Sequence, residues 1–346
     1  MSESKALLIG DPHFKSKNSF ETSIMHSKIL ETIDSRGPYD FIVCMGDVLH
    51  NKNTITLSVY YQALKFLNDL ASKAHLYLIV GNHDRQSEKD FLSDVSCFYP
   101  LKGRSDISII DSPLLENIGD QKFTFVPFVP PGRFEEALSY TKTRDHETVD
   151  WKSSTAIFAH QEFLGSTPSG EGDVWDPNLP PVYTGHVHSY QFLFEKSVIY
   201  VSTPLQHSFI ETGRKGIVEL SSGNKLSHEF IDLDVPRFYK VNCHIRDIFE
   251  KSPTDIFSHF HADPEKDSLQ IFAYGETSFR STNWFQDLSK NPRIQLYLKS
   301  NENPDSDESS SIDAPSIDFW TRLYSNIDSY SHSNSLRNIL NGIMEK

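Results

Sequence analysis

Five short polar islands occur in order along the chain: Gly10-Asp11-Pro12-His13, Gly46-Asp47-Val48-Leu49-His50, Gly81-Asn82-His83-Asp84, Ala159-His160-Gln161 and Gly185-His186-Val187-His188. Together they offer two aspartates, an asparagine and several histidines as ligands. Mixed carboxylate, amide and imidazole donors suit Mn, Fe or Zn better than Ca or Mg. Two such ions about 3.5–4 Å apart can hold a phosphate and generate a hydroxide in line with the leaving oxygen. The candidate metal ligands are Asp11, His13, Asp47, Asn82, His160, His186 and His188. Asp47 is the carboxylate alone on its island, and so the natural bridge between two cations. A single Asp-x-His is usually incidental, but five islands in this order specify one chemistry.

Each island lies at or near the end of an apolar run. Residues 5–9, 40–45 and 75–80 read as buried strands; residues 19–33 and 54–70 carry apolar residues at helical intervals. Alternating strand and helix implies a largely parallel sheet, whose ligands gather at the carboxyl ends of its strands. Residues 107–110, 122–126, 155–159, 182–184, 191–194, 198–201, 216–220 and 226–231 read as further strands. Glycines at 10, 46, 81 and 185 permit tight turns as the chain leaves its strands. The expected fold class is α/β (α+β): two sheets face to face, helices outside. Trp175 lies in the long loop 165–181, either lining the site or anchoring the loop.

Four segments are expected: a catalytic domain over 1–235, a small α/β capping domain over 236–300, an acidic linker over 301–315 and a helical segment over 316–346. Strands are expected at 238–243, 268–274 and 294–298, and helices near 248–260 and 282–288. The formal charge is −14. Glu302, Asp305, Asp307, Glu308 and Asp313 contribute locally to it. An acidic surface does not attract DNA by itself, so a partner could supply backbone affinity. The three cysteines fit no metal spacing or disulfide framework. No run is long enough for a signal peptide or membrane span, so a soluble intracellular protein is expected.

The islands resemble the calcineurin-like metallophosphoesterase signature. Gly46-Asp47-Val48-Leu49-His50, the helix after it, the stretch from Tyr200 to Gln206, Phe209 and Lys215-Gly216-Ile217 resemble the SbcD-type nuclease subfamily. That resemblance implies a two-sheet sandwich and a first metal on Asp11, His13, Asp47 and His188. It implies a second metal on Asp47, Asn82, His160 and His186. It makes His83 the contact to the scissile phosphate, with Asp84 orienting the imidazole, and puts His50 near the leaving oxygen. It further implies two divalent ions, most aptly Mn2+, and DNA as substrate in double-strand break repair and recombination. A coiled-coil ATPase of the SbcC type would bind residues 316–346, and a homodimer would use the helix over 54–70. Lys15, Lys17, Lys52, Arg85 and Lys89 lie near the islands and are the candidate phosphate contacts.

Two other readings compete. One is a small-molecule phosphodiesterase or phosphomonoesterase of the same superfamily. In the protein phosphatases of that group an arginine follows the Gly-Asp island; here the stretch reads His50-Asn51-Lys52. The other is a DNA-end adaptor with a vestigial site, which has no physical need for every ligand type. His207, outside the islands, could sit near the site, but reads first as a structural or surface histidine.

Overall fold

The structure is a computed structural model and describes residues 4–300 apart from Asn53 and Asn224. The expected linker and C-terminal helical segment lie outside the described residues. The chain opens with β1 (Ser4–Ile9), α1 (Ser19–Arg36), β2 (Phe41–Cys44), α2 (Leu57–Ala71), β3 (His75–Ile79) and β4 (Ile107–Ile110). There follow β5 (Leu114–Ile118), β6 (Gln121–Val126), α3 (Phe134–Leu138), β7 (Ala156–His160) and β8 (Val182–Gly185). Next come β9 (Tyr190–Leu193), β10 (Val198–Val201), β11 (Gly216–Ser222) and β12 (Leu226–Asp232). The last described elements are β13 (Phe238–His244), α4 (Ile245–Ile248), α5 (Pro253–His259), β14 (Ser268–Tyr274), α6 (Asn283–Leu288) and β15 (Ile294–Lys299).

Two six-stranded sheets form the body, in the orders β12-β11-β1-β2-β3-β4 and β5-β6-β7-β8-β10-β9. Strands β1 to β4 run parallel, as do β6, β7, β8 and β10. The antiparallel strands sit at the margins. Parallel strands buried on both faces need continuous apolar runs, and FIVC in β2 and AIFAH in β7 supply them. One face of each sheet meets the other in a core of Phe41, Tyr77, Phe123, Phe125, Phe158 and Tyr183 with aliphatic neighbours. The outer face of the first sheet is covered by Met25, Ile29, Phe66 and Leu67 of α1 and α2. Phe134 of α3, Phe163, Trp151 and Trp175 cover the second. The expected pair of facing sheets with helices outside is therefore present.

Strand β5 and helix α3 escape the sequence reading: Glu116 and Asn117 interrupt the apolar run of β5, and α3, at five residues, is too short to show a helical period. The helix expected near 248–260 is two short ones, interrupted at Ser252, which caps α5, and Pro253, its first residue. Strands β13, β14 and β15 form a separate parallel sheet with its own core of Ile256, Phe257, Leu269 and Ile271. Trp175 is buried against Phe134, Trp151 and Phe163, and its indole N–H donates to the Pro180 carbonyl at 3.2 Å. It anchors the loop and does not line the site.

Candidate metal centre

Every island leaves the carboxyl end of a parallel strand. Asp11 and His13 follow β1, Asp47 follows β2, and Asn82 and His83 follow β3. His160 is the last residue of β7, and His186 and His188 follow β8. The rims of the two sheets meet: His160 Nδ1 lies 2.7 Å from the Met45 carbonyl, and the His186 amide donates to Asp11 Oδ2 at 2.8 Å. His13, Asp47 and His186 hold left-handed backbone at φ 46°, 49° and 77°. Each such non-glycine residue costs about 1–3 kcal/mol, a strain that clusters where side chains must be aimed.

The expected glycine turns are only partly what the structure has. Of the four strand-end glycines Gly46 alone has a positive φ, 103°. Gly81 is required by close approach instead: a Cβ there would lie 2.2 Å from Asp47 Oδ1.

The predicted ligands form two sets around Asp47. In the first, His13 Nε2 and His188 Nε2 are 3.1 Å apart, His188 Nε2 is 3.8 Å from Asp11 Oδ2, and His13 Nε2 is 3.7 Å from Asp47 Oδ2. In the second, Asn82 Oδ1 lies 3.1 Å from His160 Nε2 and 3.2 Å from His186 Nδ1. Asp47 Oδ1 completes it, 3.4 Å from His160 Nε2. Donors bound about 2.0–2.2 Å from one ion stand roughly 3.0–3.6 Å apart, which these spacings approach. Asp11 Oδ1 and His13 Nδ1 are buried with no hydrogen-bond partner among the described residues. Converging lone pairs and an orphaned carboxylate oxygen fit a pair of divalent cations. The groups Asp11-His13-His188 and Asp47-His160-His186 each bring their ligand atoms within 4.8 Å. A third convergent group, His13-His50-His83, has imidazoles only.

The electrostatics agree. Burial pushes the Asp11 carboxyl up to about 6, with His160 opposing and Asp47 adding to the rise. Burial likewise raises Asp84 to about 7, reinforced by Asp47. Burial also acts against ionised Asp47, but His160, His13 and His83 outweigh it and hold this carboxyl well below the usual range. Burial works against charged His160, yet the Asp47 and Asp11 carboxylates raise it to about 9. Anions crowded this closely call for cations, and bound divalent ions would offset that charge.

His83 and His50 stand beside the two sets. The His83 ring is 5.0 Å from that of His13 and stacks on His50 at 5.7 Å. Its Nε2 lies 3.9 Å from Asp47 Oδ2, and the side chain is partly exposed. The expected role of Asp84 needs correction. His83 Nδ1 faces the His50 carbonyl, whereas Asp84 accepts from the Leu49 and Gly81 amides at 3.1 and 3.2 Å. Asp84 thus ties together the loops after β2 and β3, and the His50 carbonyl sets the His83 ring.

Arg85 is also corrected. Its guanidinium is buried and donates to the Phe128 and Asp90 carbonyls at 2.7 Å each, so it braces loops instead of facing a phosphate. Lys52 pairs with Glu88. Lys15 donates to the His207 carbonyl at 3.4 Å and shares a cleft with Lys17; Lys89 is exposed.

Three residues at the site were not among the predicted site residues. His207 is no surface histidine: its ring lies 5.0 Å from His13 and 5.3 Å from His188, and its Nε2 is 3.0 Å from the Asp11 carbonyl. Glu211 meets His188 Nδ1 at 2.9 Å, and Lys215 pairs with Glu211 at 2.8 Å. The available signal was a carboxylate four residues before a lysine that opens the apolar strand β11.

The chain matches the calcineurin-like phosphoesterase family over residues 4–190. It is 35% identical over 236 residues to protein 078R of Invertebrate iridescent virus 3, named as a phosphoesterase, covering 67% of this chain and 66% of that one. It is 34% identical over 292 residues to protein 244L of Invertebrate iridescent virus 6, also so named, covering 81% of this chain and 98% of that one. Among solved structures, the nuclease MPE of Pseudomonas putida aligns at 14% identity with a TM-score of 0.31, covering 62% of this chain and 83% of that one. With the ligand geometry and the family match together, the chain belongs to the calcineurin-like phosphoesterase family.

Proposed function

We propose that this protein is a DNA nuclease of the SbcD type that cleaves phosphodiester bonds with two divalent cations, Mn2+ foremost. The observation that carries the two-ion reading is Asp47: one carboxylate oxygen faces His160 and the other faces His13. Asp11, His13 and His188 would hold one ion, Asn82, His160 and His186 the other, and Asp47 both. The two cations supply Lewis acidity to the phosphoryl group and a nucleophile at neutral pH. His83, partly exposed beside Asp47, donates a proton or hydrogen bond to a phosphoryl oxygen as charge builds there. His50, stacked on it, serves the leaving oxygen.

A polymeric substrate is supported by two open clefts. One, of about 360 Å3, runs past His83, Lys52 and Gln86. The other, of about 370 Å3, runs past His207, Lys15, Lys17 and Arg293. Each cleft adjoins a histidine beside the ligand sets, His83 in one and His207 in the other, and offers a strand room to extend past the scissile bond. We extend the proposal to double-strand break repair and recombination, in which an SbcC-type ATPase binds residues 316–346 and supplies affinity that this acidic chain lacks. Exposed Ile55, Leu57 and Tyr61, at and before the start of α2, are the proposed homodimer contact.

The test is digestion of labelled single- and double-stranded DNA with Mn2+, Mg2+ or chelator, beside a p-nitrophenyl phosphodiester and an Asp47→Ala control. Mn2+-dependent DNA cleavage lost in the control is expected. Turnover of the small ester alone would replace the nuclease with a small-molecule phosphodiesterase.

A further inference from the structure

The first ligand set is supported by an ion pair between a buried lysine and a half-buried glutamate in the loop between β10 and β11. Glu211 accepts three contacts: His188 Nδ1 lies 2.9 Å from Oε1, and the His207 amide and Lys215 Nζ lie 3.2 and 2.8 Å from Oε2. The Lys215 side chain is 1% exposed. An ammonium has three protons to place. Lys215 Nζ directs them at Glu211, the His188 carbonyl at 2.8 Å and the Thr203 hydroxyl at 2.9 Å. Lys215 therefore grips His188 twice, directly at its backbone and through Glu211 at its ring. The same loop reaches the set at a second point, where His207 Nε2 meets the Asp11 carbonyl.

A histidine whose Nδ1–H donates to a carboxylate presents its Nε2 lone pair in a fixed direction. Here that Nε2 points toward His13 and Asp11. Among the described residues no such carboxylate contact at hydrogen-bond distance holds His186 of the second set: Glu162 stands 3.7 Å from His186 Nε2. The two sets are thus supported unequally.

We propose that Glu211, locked by Lys215, is a positioning residue that fixes the tautomer and ring orientation of His188, and so governs divalent-metal affinity at the Asp11-His13-His188 set separately from the other. This inference rests on the two-ion reading of the site. Neutralising Glu211 removes the charge that holds the Nδ1 proton, and neutralising Lys215 frees Glu211 to swing away. Carboxylate partners of metal-bound histidines are typically worth about 10–100-fold in metal affinity.

The experiment is Mn2+ titration of the full chain, followed by electron paramagnetic resonance and calorimetry, for wild type, Glu211→Gln, Lys215→Met and His188→Ala. Wild type should take two ions. Glu211→Gln should take two, one of them about 10–100-fold more weakly, with the other affinity unchanged. Lys215→Met should weaken the same ion, and His188→Ala should abolish it. Thermal melting without metal checks folding; if Lys215→Met does not fold, the near-isosteric Glu211→Gln carries the test. Two unchanged affinities in Glu211→Gln would overturn the proposal, as would equal weakening of both. A wild type that binds fewer than two ions would instead overturn the two-ion reading itself.

Discussion

Replacing Gly81 with alanine should disable the centre while leaving most of the fold intact. An added Cβ would stand 2.2 Å from Asp47 Oδ1 and 2.4 Å from the Asp47 amide nitrogen, against an ordinary contact of 3.4 Å or more. The overlap is therefore about 1 Å, against a backbone atom as well as the carboxylate, and rotation of the Asp47 side chain cannot relieve it. Gly81 has no positive φ, so backbone strain does not contribute. A misplacement of about 1 Å in a reacting group costs on the order of 100-fold in rate, or about 2.7 kcal/mol. Overpacking costs roughly 1–3 kcal/mol of stability, a fall of a few degrees to about ten degrees in Tm. The assay is phosphodiester turnover with saturating Mn2+ beside a melting curve. Gly103→Ala is the comparison for backbone strain without crowding: its φ is 88° and nothing among the described residues lies within 4 Å of its added Cβ, so it should lose some Tm but keep its turnover. Turnover of Gly81→Ala within about threefold of wild type, with two ions bound, would refute the claim that this approach fixes Asp47.

Other substitutions separate the remaining roles. His83→Ala should lose about 10²–10⁴-fold in kcat while still binding two ions in a Mn2+ titration. Arg85→Met should lower Tm, since it releases the Phe128 and Asp90 carbonyls, but leave KM for DNA unchanged; a raised KM would restore Arg85 as a phosphate contact. Lys15→Ala with Lys17→Ala should raise KM for DNA most at low salt and make KM less salt-dependent, with little effect on the small ester. Burial holds His228 below its ordinary value of 6.5. Its neutral form, against the Tyr183 hydroxyl at 3.0 Å, therefore stabilises the fold above that pH, and the contribution is lost as pH falls below it. His228→Gln should flatten the decline in Tm between pH 7 and 5.5.

The convergence of the candidate ligands was legible in the sequence because each is placed locally: a β run stops and a polar island follows at once. The parallel order of β1, β2 and β3 then brings Asp11, Asp47 and Asn82 to one rim with little further information. What the sequence hid depends on contacts between distant segments. Arg85, beside three island residues, looked available for phosphate; only the fold puts the Phe128 carbonyl against it. Asp84 was assigned to its neighbour His83, but its partners are the amides of Leu49 and Gly81. Glu211 and Lys215 stand more than twenty residues beyond His188, and nothing in local spacing links them to it. Gly10 and Gly185 read as turns, although their backbones carry no positive φ and are instead crowded by the Ser202 carbonyl and Asp11 Oδ1. Lone glycines cannot announce which of these two needs they meet.

The most direct test of the central claim is anomalous diffraction from crystals of the full chain grown with Mn2+. Two peaks about 3.5–4 Å apart are expected. One should lie among Asp11, His13 and His188 and the other among Asn82, His160 and His186, with Asp47 reaching both. A single peak, or a peak among His13, His50 and His83 instead, would contradict it.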